Sequence, residues 1–433
     1  MQALELLYNI FCEHGAVTTD TRNIKPGDIF FALKGPNFNG NQFAQQALAQ
    51  GARLAVIDEQ EYYLPDNMLL VTNVLETLQA LAKHHRQQLQ IPVIAITGSN
   101  GKTTTKELVH AVLATKYRTS TTAGNLNNHI GIPLTLLRIP NTAQMAVVEM
   151  GANHQKEIEN YCSCTLPTAG MITNCGKAHL EGFGGVEGVR KGKGELFEHL
   201  RGNAGQAFIC SDFDYFESMS QGLTNPIWYG TENGSVVGQV VESSPFLKVK
   251  LTCVPNGEIG AMVCTLTTQL VGQYNVYNVL AAVTIGLHFG VPLADIAQAI
   301  GNYCPTNSRS QLLHKGGNTI ILDAYNANPT SMAAAIENFA ETPYPDKMLF
   351  LGGMMELGDQ SPSEHLAIVR LLQKFKWKDV VLVGEQFKAI AHEYRFFNTV
   401  EEACLWWAQN FKTGQTLLVK GSRSMKMEKV LDV

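Results

Sequence analysis

The sequence predicts an α/β protein of three domains, and three observations support this fold class. The chain has 433 residues, more than one typical domain contains. Short apolar runs alternate with helical segments, a pattern typical of parallel sheets covered by helices. Between about 228 and 270, polar and apolar residues alternate, which indicates an antiparallel excursion. We therefore expect a small N-terminal α/β domain at 1–87, a central parallel-sheet domain at 88–306 and a C-terminal α/β domain at 307–433.

The predicted elements follow in chain order. The N-terminal block contains the strand-like runs "DIFFALKG", "ARLAVIDE" and "NMLLVTN", then the helical stretch "LETLQALAKHHRQQL". Pro92 precedes the first central strand, "PVIAITGS", and the runs "MAVVEMG", "AGMITNCG" and "QAFICSD" continue the central sheet. The excursion consists of "SVVGQVVE", "FLKVKLTC" and "AMVCTLTTQL", and the helix "NVYNVLAAVTIGLHFG" follows it. The strands "NTIILDAY", "KMLFLGGM", "DVVLVGE" and "QTLLVKGS" form the C-terminal sheet.

Composition and charge exclude several classes of protein. The chain is 45% hydrophobic and 16% charged, which is ordinary for a soluble enzyme. A net charge of -5 without a basic run argues against a nucleic-acid partner. No apolar run reaches the roughly 18 residues that a membrane span needs. The N-terminus has no basic signal-peptide region and the nine cysteines show no paired spacing, so we expect a cytoplasmic protein, with unrecognised export as the alternative.

The stretch "AITGSNGKTTTKELVHAVL" predicts a nucleotide-binding turn between a strand and a helix. Two residues separate Gly98 from the Gly101-Lys102 pair, where the common phosphate loop has four. Backbone N–H groups at the helix N-terminus still face a phosphate, Lys102 can reach the β- and γ-oxygens, and the Thr103 hydroxyl is placed for Mg²⁺. The alternative is a turn that caps an ordinary helix, and the loop alone leaves a kinase, a motor ATPase and a ligase open. The predicted nucleotide-binding residues are Gly98, Ser99, Asn100, Gly101, Lys102, Thr103 and Thr104.

Two acid–base side chains follow later central strands. Glu149 ends the apolar run of "MAVVEMGANH", and His179 lies in the turn of "AGMITNCGKAHLEGFG". Ligands bind at the carboxyl ends of parallel strands, and a carboxylate with an imidazole suits a divalent metal. Taken singly, Glu149 could instead assist a helix cap, and His179 could be an ordinary loop histidine. Both alternatives stay open until the motif around His179 is compared with a known family.

The short loop, its threonine run and "NCGKAHLEGFG" resemble the Mur ligase family, which includes folylpolyglutamate synthase. This resemblance implies an enzyme that joins a carboxylate to an amine through an acyl phosphate, with ATP, two Mg²⁺ ions and a central domain of the P-loop ATPase type. It selects Lys193 in "RKGKGELF" as a carbamylated lysine. Lys191 would point about 200° away on a helix and is expected to be solvated; the alternative is two exposed lysines. The resemblance makes Lys102, His179 and Lys193 catalytic, and the implied metal ligands are Thr103, Glu149, His179 and Lys193.

Further motifs extend the resemblance through the predicted Rossmann-like C-terminal domain. "GQYNVYNVLAA" implies Asn275 and Asn278 beside the adenine, with helix capping as the alternative for Asn275. "NSRSQ" implies that Arg309 reaches phosphate, although Ser308 replaces the commoner glycine and leaves the turn geometry open. The resemblance also implies Asp323 on the ribose side and Tyr325 and Asn326 at the substrate. "LVKGSRSMKME" implies that Lys420, Ser422 and Arg423 lie near the amine substrate or a closure surface, and an isolated basic loop is the alternative.

The substrate is implied by motifs near both ends of the chain. "TTDTRNIKPGDIFFALKGPNFNGNQFA" resembles the uridine-nucleotide-binding domain of family members that act on UDP-N-acetylmuramoyl peptides, which implicates Thr21 and Arg22. "AGNLNNHIGIPLTLL" resembles the muramoyl-peptide contact region, with generic loop asparagines as the alternative; its candidate residues are Asn125, Asn127 and Asn128. "DAYNANPTSM" and "MMELG" favour the member that adds D-alanyl-D-alanine to UDP-N-acetylmuramoyl-tripeptide. A monomer is expected.

Three competing functions are compatible with parts of the sequence, which also departs from the family pattern at two positions. The competitors are a diamino-acid-adding ligase, a folylpolyglutamate-type enzyme and a non-catalytic nucleotide-binding protein. The Asp-Asn-Pro-Arg motif usual in the diamino-acid-adding enzyme does not occur in the chain. Lys177 stands where the family usually has proline, and "GGMMELG" has glycine where an aspartate is common. Lys177 is therefore a candidate for altering the electrostatics of the metal turn or for contacting phosphate.

Overall fold

The computed structural model describes residues 2–253 and 262–432. Contacts within the chain divide it into two compact units. The first contains Met1–Ala95, Tyr117–Gly151 and Glu157–Ala169, and the second contains Ile96–Lys116, Ala152–Lys156 and Gly170–Val433. Among the described residues, no helix combines the length and the apolar character that crossing a membrane requires.

The N-terminal region of the first unit contains a four-stranded parallel sheet in the order β1-β2-β5-β6. Three of its strands, β2, β5 and β6, lie within the three apolar runs that were predicted as strands. Phe30 and Ala55 lie in the buried core of this region. Asn73 caps the following helix by accepting a hydrogen bond from the Glu76 backbone N–H. The elements are α1 (Gln2–His14), β1 (Val17–Thr18), β2 (Ile29–Phe31), β3 (Lys34–Gly35), β4 (Phe38–Asn39), α2 (Ala44–Ala49), β5 (Leu54–Ile57), β6 (Met68–Leu70) and α3 (Val74–Gln88).

The central region follows the predicted alternation of strands and helices. Its elements are β7 (Val93–Thr97), α4 (Lys102–Leu113), β8 (Thr119–Thr121), α5 (Gly131–Leu137), β9 (Met145–Glu149), α6 (Glu157–Thr165), β10 (Ala169–Ile172), α7 (Leu180–Phe183), α8 (Val186–Gly202), β11 (Gln206–Cys210), α9 (Tyr215–Met219), β12 (Ile227–Gly230), β13 (Val236–Glu242), β14 (Lys248–Cys253), β15 (Met262–Thr267), α10 (Val276–His288) and α11 (Leu293–Asn302). The boundary between the two units falls within β7 and β10.

Both units contain central strands, and β7 and β10 each contribute residues to both units. The first has the order β7-β9-β8, and the second has the order β15-β14-β13-β12-β11-β10. The pairs β11–β12 and β12–β13 are parallel, whereas β13–β14 and β14–β15 are antiparallel, which confirms the predicted excursion. The first residue of the predicted third run, Ala261, lies outside the described residues. Helix α10 is apolar and buried around most of its surface, as expected of a helix inside a domain.

The C-terminal region has a six-stranded sheet in the order β16-β17-β21-β18-β19-β20. Only the edge pair β16–β17 is antiparallel among the pairs of this sheet, whose strands all lie within the described residues. The parallel strands are buried on both faces, which explains their continuous apolar sequence. The elements are β16 (Gln311–Lys315), β17 (Asn318–Asp323), α12 (Pro329–Glu341), β18 (Lys347–Gly352), α13 (Ser361–Leu372), β19 (Asp379–Val383), α14 (Glu385–Lys388), β20 (Arg395–Phe397), α15 (Val400–Asn410) and β21 (Thr416–Lys420).

Candidate active site

The phosphate loop joins β7 to α4, and its glycines are required by both conformation and space. Gly98 has a φ of 140° and Gly101 a φ of 80°, in the region that favours glycine. A Cβ atom on Gly98 would lie 2.0 Å from Thr173 Oγ1, and one on Gly101 would lie 2.4 Å from Asn278 Oδ1. The two glycines therefore let neighbouring side chains pack directly against the loop backbone.

Side chains and backbone that follow β10 hold the loop between these glycines. The Asn100 carbonyl accepts from Thr173 Oγ1 at 2.6 Å and from Asn174 Nδ2 at 3.1 Å. The Asn100 N–H donates to Asn174 Oδ1 at 3.1 Å, and Ser99 Oγ donates to the Gly176 carbonyl at 3.0 Å. These bonds hold the backbone of the phosphate loop to the segment that follows β10. Thr173 and Asn174 were not predicted as site residues, although "ITNCG" contains them beside the predicted metal turn.

Asn100 itself contacts the C-terminal region and retains one donor. Its Oδ1 accepts from Asn328 Nδ2 at 2.7 Å, and Asn328 caps α12, which has Pro329 in its first turn. Among the described residues, Asn100 Nδ2 is buried and has no hydrogen-bond partner. A buried donor without a partner is costly, so a ligand oxygen at this point would relieve that cost.

Lys102 begins α4 at the position that the motif predicts. Its ammonium group donates to the carbonyls of Gly98 at 2.6 Å and Ser99 at 3.2 Å. It therefore lies along the loop, where phosphate oxygens can compete with those carbonyls. Thr103 is buried and Thr104 is half-buried in the first turn of the helix. Backbone N–H groups at this helix terminus attract an anion.

Asn275 and Asn278 are buried, and the amide groups of their side chains form one chain of hydrogen bonds. Asn275 Nδ2 donates to the Val271 carbonyl at 2.8 Å, and Asn278 Nδ2 donates to Asn275 Oδ1 at 2.8 Å. Asn278 Oδ1 accepts from Thr105 Oγ1 at 3.0 Å, which links the chain to α4. Asn275 is also the N-cap residue of α10, but its side chain makes no capping bond. Both asparagines therefore support the floor of the phosphate loop.

Lys193 and Lys191 have opposite environments on α8, as the helical spacing predicts. Lys193 is 1% exposed, donates to the Ala152 carbonyl at 2.9 Å and lies 4.8 Å from the centre of the Phe183 ring. Lys191 is exposed. Burial raises the pKa of the nearby Cys175 thiol to about 12, an effect that the Lys193 charge partly opposes. Lys193 is thus the lysine of this pair that lies inside the protein.

His179 lies at the N-terminus of the short helix α7 with a φ of 52°. Its Nδ1 is paired with the Glu356 carboxylate, which the sequence analysis did not identify as a site residue. The imidazole beside it lowers the pKa of the Glu356 carboxyl, while burial acts in the opposite direction. Because Nδ1 faces the Glu356 carboxylate, Nε2 is the ring atom that remains for a metal. Glu356 belongs to the "MMELG" motif, which was used only to distinguish members of the family.

Glu149 ends β9 in the first unit and is 1% exposed. Its Oε1 accepts from Asn127 Nδ2 at 2.7 Å, and its backbone N–H donates to Thr122 Oγ1 at 3.0 Å. Among the described residues, Glu149 Oε2 is buried without a hydrogen-bond partner. An unpartnered buried carboxylate oxygen fits a hard cation such as Mg²⁺.

The other predicted loop asparagines differ in their roles. Asn128 Oδ1 accepts from the backbone N–H groups of Ile130 at 3.2 Å and Gly131 at 2.9 Å, and so caps the start of α5. The Asn125 carbonyl accepts from the Asn127 N–H at 2.8 Å, and the Asn125 side chain is exposed. Of the three asparagines, Asn128 is the one whose side chain most clearly stabilises the local loop structure, as the alternative prediction states.

Arg309 follows Ser308, whose φ is 55°. A residue here occupies the left-handed region, which explains why glycine would also suit the position. The guanidinium carbon lies 3.7 Å from the centre of the Tyr325 ring. Among the described residues, Arg309 Nε is buried and makes no hydrogen bond. The stacked guanidinium is thus oriented by Tyr325, and one of its buried donors remains for a ligand such as phosphate.

Asp323 and Lys420, predicted for different roles, form one ion pair. Lys420 is buried, and its ammonium group also donates to the Asn326 carbonyl at 3.4 Å. Asp323 Oδ1 accepts from the Ser310 N–H at 3.1 Å. The structure therefore brings together the ends of β17 and β21 and the turn after Arg309.

Thr21 and Arg22 lie in a short 3₁₀ turn of the first unit. Arg22 Nε and Nη2 donate to the two carboxylate oxygens of Asp20 at 2.9 and 2.8 Å. The Arg22 side chain is nevertheless 86% exposed. The hydrogen bonds from Arg22 lower the pKa of the Asp20 carboxyl to about 2.

The rest of the N-terminal motif forms a polar network. Asn41 Nδ2 donates to Asn39 Oδ1 and to Asp58 Oδ1, each at 2.9 Å. Lys34 pairs with Asp58 at 3.0 Å and Glu59 at 3.2 Å. Asn41 is buried, so this network stabilises the link between the β3–β4 hairpin and β5.

In the part of the chain that the structure describes, no three His, Cys, Asp or Glu side chains form a group that could hold a metal. The predicted donor set differs in kind, because it combines a hydroxyl, a carboxylate, an imidazole and a lysine carbamate. In the first unit, the unpartnered Glu149 oxygen suits a hard cation, and in the second unit Lys193 supplies a buried amine.

The chain matches three family models along most of its length. Residues 14–88 match the Mur ligase family catalytic domain, residues 96–286 the Mur ligase middle domain, and residues 308–423 the Mur ligase glutamate ligase domain. The chain therefore belongs to the Mur ligase family, and it is a ligase.

Named relatives point to one branch of this family. UDP-N-acetylmuramoyl-tripeptide–D-alanyl-D-alanine ligase of Bacillus subtilis is 35% identical, over 96% of this chain and 92% of the relative. A crystal structure of MurF from Acinetobacter baumannii is 32% identical with a TM-score of 0.86, over 96% of this chain and 92% of that chain. MurF from Thermotoga maritima in complex with ADP is 25% identical with a TM-score of 0.85, over 96% of each chain. The predicted family and three-domain α/β fold are confirmed.

Proposed function

We propose that this ligase uses ATP to join UDP-N-acetylmuramoyl-tripeptide to D-alanyl-D-alanine, forming a peptidoglycan precursor in the cytoplasm. The observation that supports this most is the relative of that name, which is 35% identical over 96% of the chain. The phosphate loop, with Lys102 at the start of α4, supplies the matching chemistry. We also propose that the enzyme acts as a monomer with domains at 1–87, 88–306 and 307–433.

The reaction proceeds in two steps. A carboxylate oxygen of the tripeptide attacks the γ-phosphorus of ATP, and ADP leaves, giving an acyl phosphate. The amine nitrogen of D-alanyl-D-alanine then attacks the acyl carbon, phosphate leaves, and the nitrogen loses a proton. Both steps need reactants held together and phosphate charge neutralised. Lys102 supplies a positive charge at the phosphate loop, and loop N–H groups orient the phosphates.

The metal ligands are proposed residue by residue. Thr103, Glu149 and His179 would bind Mg²⁺. Lys193, once its ammonium group has lost a proton, would add to CO₂ as the neutral amine and lose a second proton to become an anionic carbamate ligand. The unpartnered Glu149 oxygen supports its assignment, and the burial of Lys193 beside the Ala152 carbonyl supports selective modification of that amine. Two Mg²⁺ ions, when bound, neutralise phosphate charge.

The nucleotide and substrate contacts are also proposed from the motifs. Arg309, oriented by the Tyr325 ring, would reach a phosphate, and Asp323 would lie on the ribose side. Asn275 and Asn278 would lie next to the adenine, with their amides already bonded within the protein. The proposed contacts to the UDP-muramoyl peptide are Thr21, Arg22, Asn125, Asn127, Asn128, Tyr325 and Asn326.

A phosphate-release assay tests this function. Release is expected only when UDP-N-acetylmuramoyl-tripeptide, D-alanyl-D-alanine and Mg²⁺-ATP are present together. The assay is run with a tripeptide ending in lysine and, separately, with one ending in diaminopimelate. Equal release with a diamino acid and the UDP-linked dipeptide would contradict the assignment in favour of the diamino-acid-adding ligase. A lack of stimulation by every acceptor would favour a nucleotide-binding protein.

A further inference from the structure

Lys177 connects the loop that carries His179 to the C-terminal region. Its backbone N–H donates to Thr330 Oγ1 at 3.1 Å, in the first turn of α12. Its ammonium group donates to Glu364 Oε1 at 2.6 Å, in the first turn of α13. One residue therefore contacts two helices that both belong to residues 307–433.

Neither contact is available to a proline, the residue that the family pattern favours here. Proline has no backbone N–H and no charged group. Lys177 therefore adds a hydrogen bond and an ion pair at a point where the pattern supplies neither. The Lys177 ammonium group lies at Glu364 in this structure, which accounts for its charge without a phosphate contact.

The loop is already bonded on its other side to the phosphate loop. The Gly176 carbonyl accepts from Ser99 Oγ at 3.0 Å, directly before Lys177. After it, His179 pairs with Glu356, and the Glu181 N–H donates to the Glu356 carbonyl at 3.4 Å. The contacts of Lys177 thus fall between the loop that receives phosphate and the residue proposed to bind metal.

The ion pair lies at the rim of this contact. The Lys177 side chain is 48% exposed, whereas the Glu364 side chain is 12% exposed. An exposed cation beside a mostly buried carboxylate makes a weak but salt-sensitive interaction. Glu364 is also in the first turn of its helix, where a negative charge is favourable.

We propose that Lys177 is a positioning residue that fastens the His179 loop to the C-terminal domain in the assembled state that joins the amine to the acyl phosphate. The proposal rests on the proposed function for the identity of the amine. It extends that function by assigning the fastening to a residue that differs from the family pattern. Loss of the contacts lowers the population of the assembled state and so weakens productive use of the amine substrate.

Graded variants separate the two contacts. Lys177→Met removes only the charge, and we expect the KM for D-alanyl-D-alanine to rise about two- to fivefold. Lys177→Pro also removes the N–H bond, and we expect a rise of about five- to fiftyfold. Lys177→Arg keeps both contacts and should remain close to wild type. The matched control is Lys376→Met, which removes an exposed lysine elsewhere in the C-terminal region.

Salt and charge reversal provide a readout that a merely structural role would not change. Raising salt should increase the wild-type KM for the amine and leave the Lys177→Met KM unchanged, because only the wild type has a pair to screen. The double variant Lys177→Glu with Glu364→Lys should recover part of the loss caused by either single change. Equal KM values and equal salt dependence in the wild type and Lys177→Met would overturn the proposal.

Failure of the proposed function has a different signature. If the wild type releases no phosphate with any acceptor, the function is wrong. The fastening is then tested by thermal unfolding of the same single and double charge variants. A coupling between Lys177 and Glu364 in the midpoint temperature would support the fastening, and strict additivity would overturn it.

Discussion

The phosphate loop and the N-terminal uridine-like motif were both predicted as binding motifs, but their polar groups are organised differently. In the phosphate loop, the glycines admit close packing, and the buried Asn100 Nδ2 has no partner among the described residues. In the N-terminal motif, Asn41 bonds to Asp58, and Arg22 bonds to Asp20. Motif similarity therefore identifies a region but does not separate residues that bind a ligand from residues that stabilise the local fold.

The largest expected effect is a loss of turnover, and it concerns Lys193, which is proposed to bind a ligand as the phosphate loop is. Lys193→Ala should reduce turnover by about a thousandfold or more, because it removes a charge from the reaction centre. Small carboxylic acids should restore part of the activity by occupying the position of the lost anion. Steady-state phosphate release measures both. Lys191→Ala is the matched control, and a greater loss in that variant would show that the two lysines were assigned in the wrong order.

A second variant tests whether the loop glycines act through space. Gly101→Ala places a Cβ atom 2.4 Å from Asn278 Oδ1 and keeps a φ of 80°, so it should cost about 1–3 kcal/mol of strain. We expect the KM for ATP to rise at least tenfold. Gly124→Ala is the control, because its φ is also positive but no atom lies within 4 Å of the added carbon. Similar ATP kinetics in the two variants would contradict the packing argument.

Arg22 tests whether the N-terminal motif contains a ligand-binding residue as well as residues that stabilise the fold. Arg22→Gln should raise the KM for the UDP substrate about tenfold, since an exposed guanidinium that binds a charged ligand contributes about 1.5 kcal/mol or slightly more. Its effect on the midpoint of thermal unfolding should be small. Asn41→Ala should do the reverse, lowering the free energy of unfolding by about 1–3 kcal/mol with little change in KM. An unchanged KM in Arg22→Gln would place Arg22 with the fold-stabilising residues.

The smallest expected effect is on the pH dependence of stability, and it concerns a buried histidine whose two ring nitrogens both form hydrogen bonds. His365 Nε2 accepts from the Met354 N–H at 2.9 Å, and Nδ1 bonds to the Ser361 carbonyl at 2.7 Å. Burial lowers the pKa of His365, so the folded state favours the neutral ring. Its stabilising contribution is present above the unfolded-state pKa of about 6.5 and is lost as pH falls towards the lower folded pKa.

Thermal unfolding between pH 7.5 and pH 5 measures this effect. The midpoint of the wild type should fall with pH, and His365→Gln should be less stable at pH 7.5 but show a shallower fall. The exposed His314→Gln is the control and should keep the wild-type slope. An equal slope in His365→Gln would show that other groups cause the acid sensitivity.

Local patterns predicted the strands and helices well, because apolar runs such as those of β17 and β21 report burial directly. The burial of Lys193 and the exposure of Lys191 also followed from helical spacing. The partner of His179 could not be predicted in the same way. Glu356 is far along the chain, and periodicity contains no information on which distant turn will meet a given loop.

The same limit applies to side chains whose residue type suits two roles. Asn128 and Asn275 are equally compatible with a ligand contact and with an internal hydrogen bond. Only the partners show that Asn128 caps α5 and that Asn275 bonds to Val271. Ser308 illustrates the backbone equivalent, since its positive φ is set by the turn and not by the residue.

The bond between Asn100 and Asn328 has a thermodynamic consequence for how the enzyme can be controlled. One partner lies on the loop that receives phosphate, and the other begins a helix of the C-terminal region. If a bound nucleotide strengthens that bond, then holding the helix in place must strengthen nucleotide binding by the same free energy. A molecule that binds only the C-terminal region, and keeps this helix away from Asn100, would therefore act as an antagonist of ATP without resembling it.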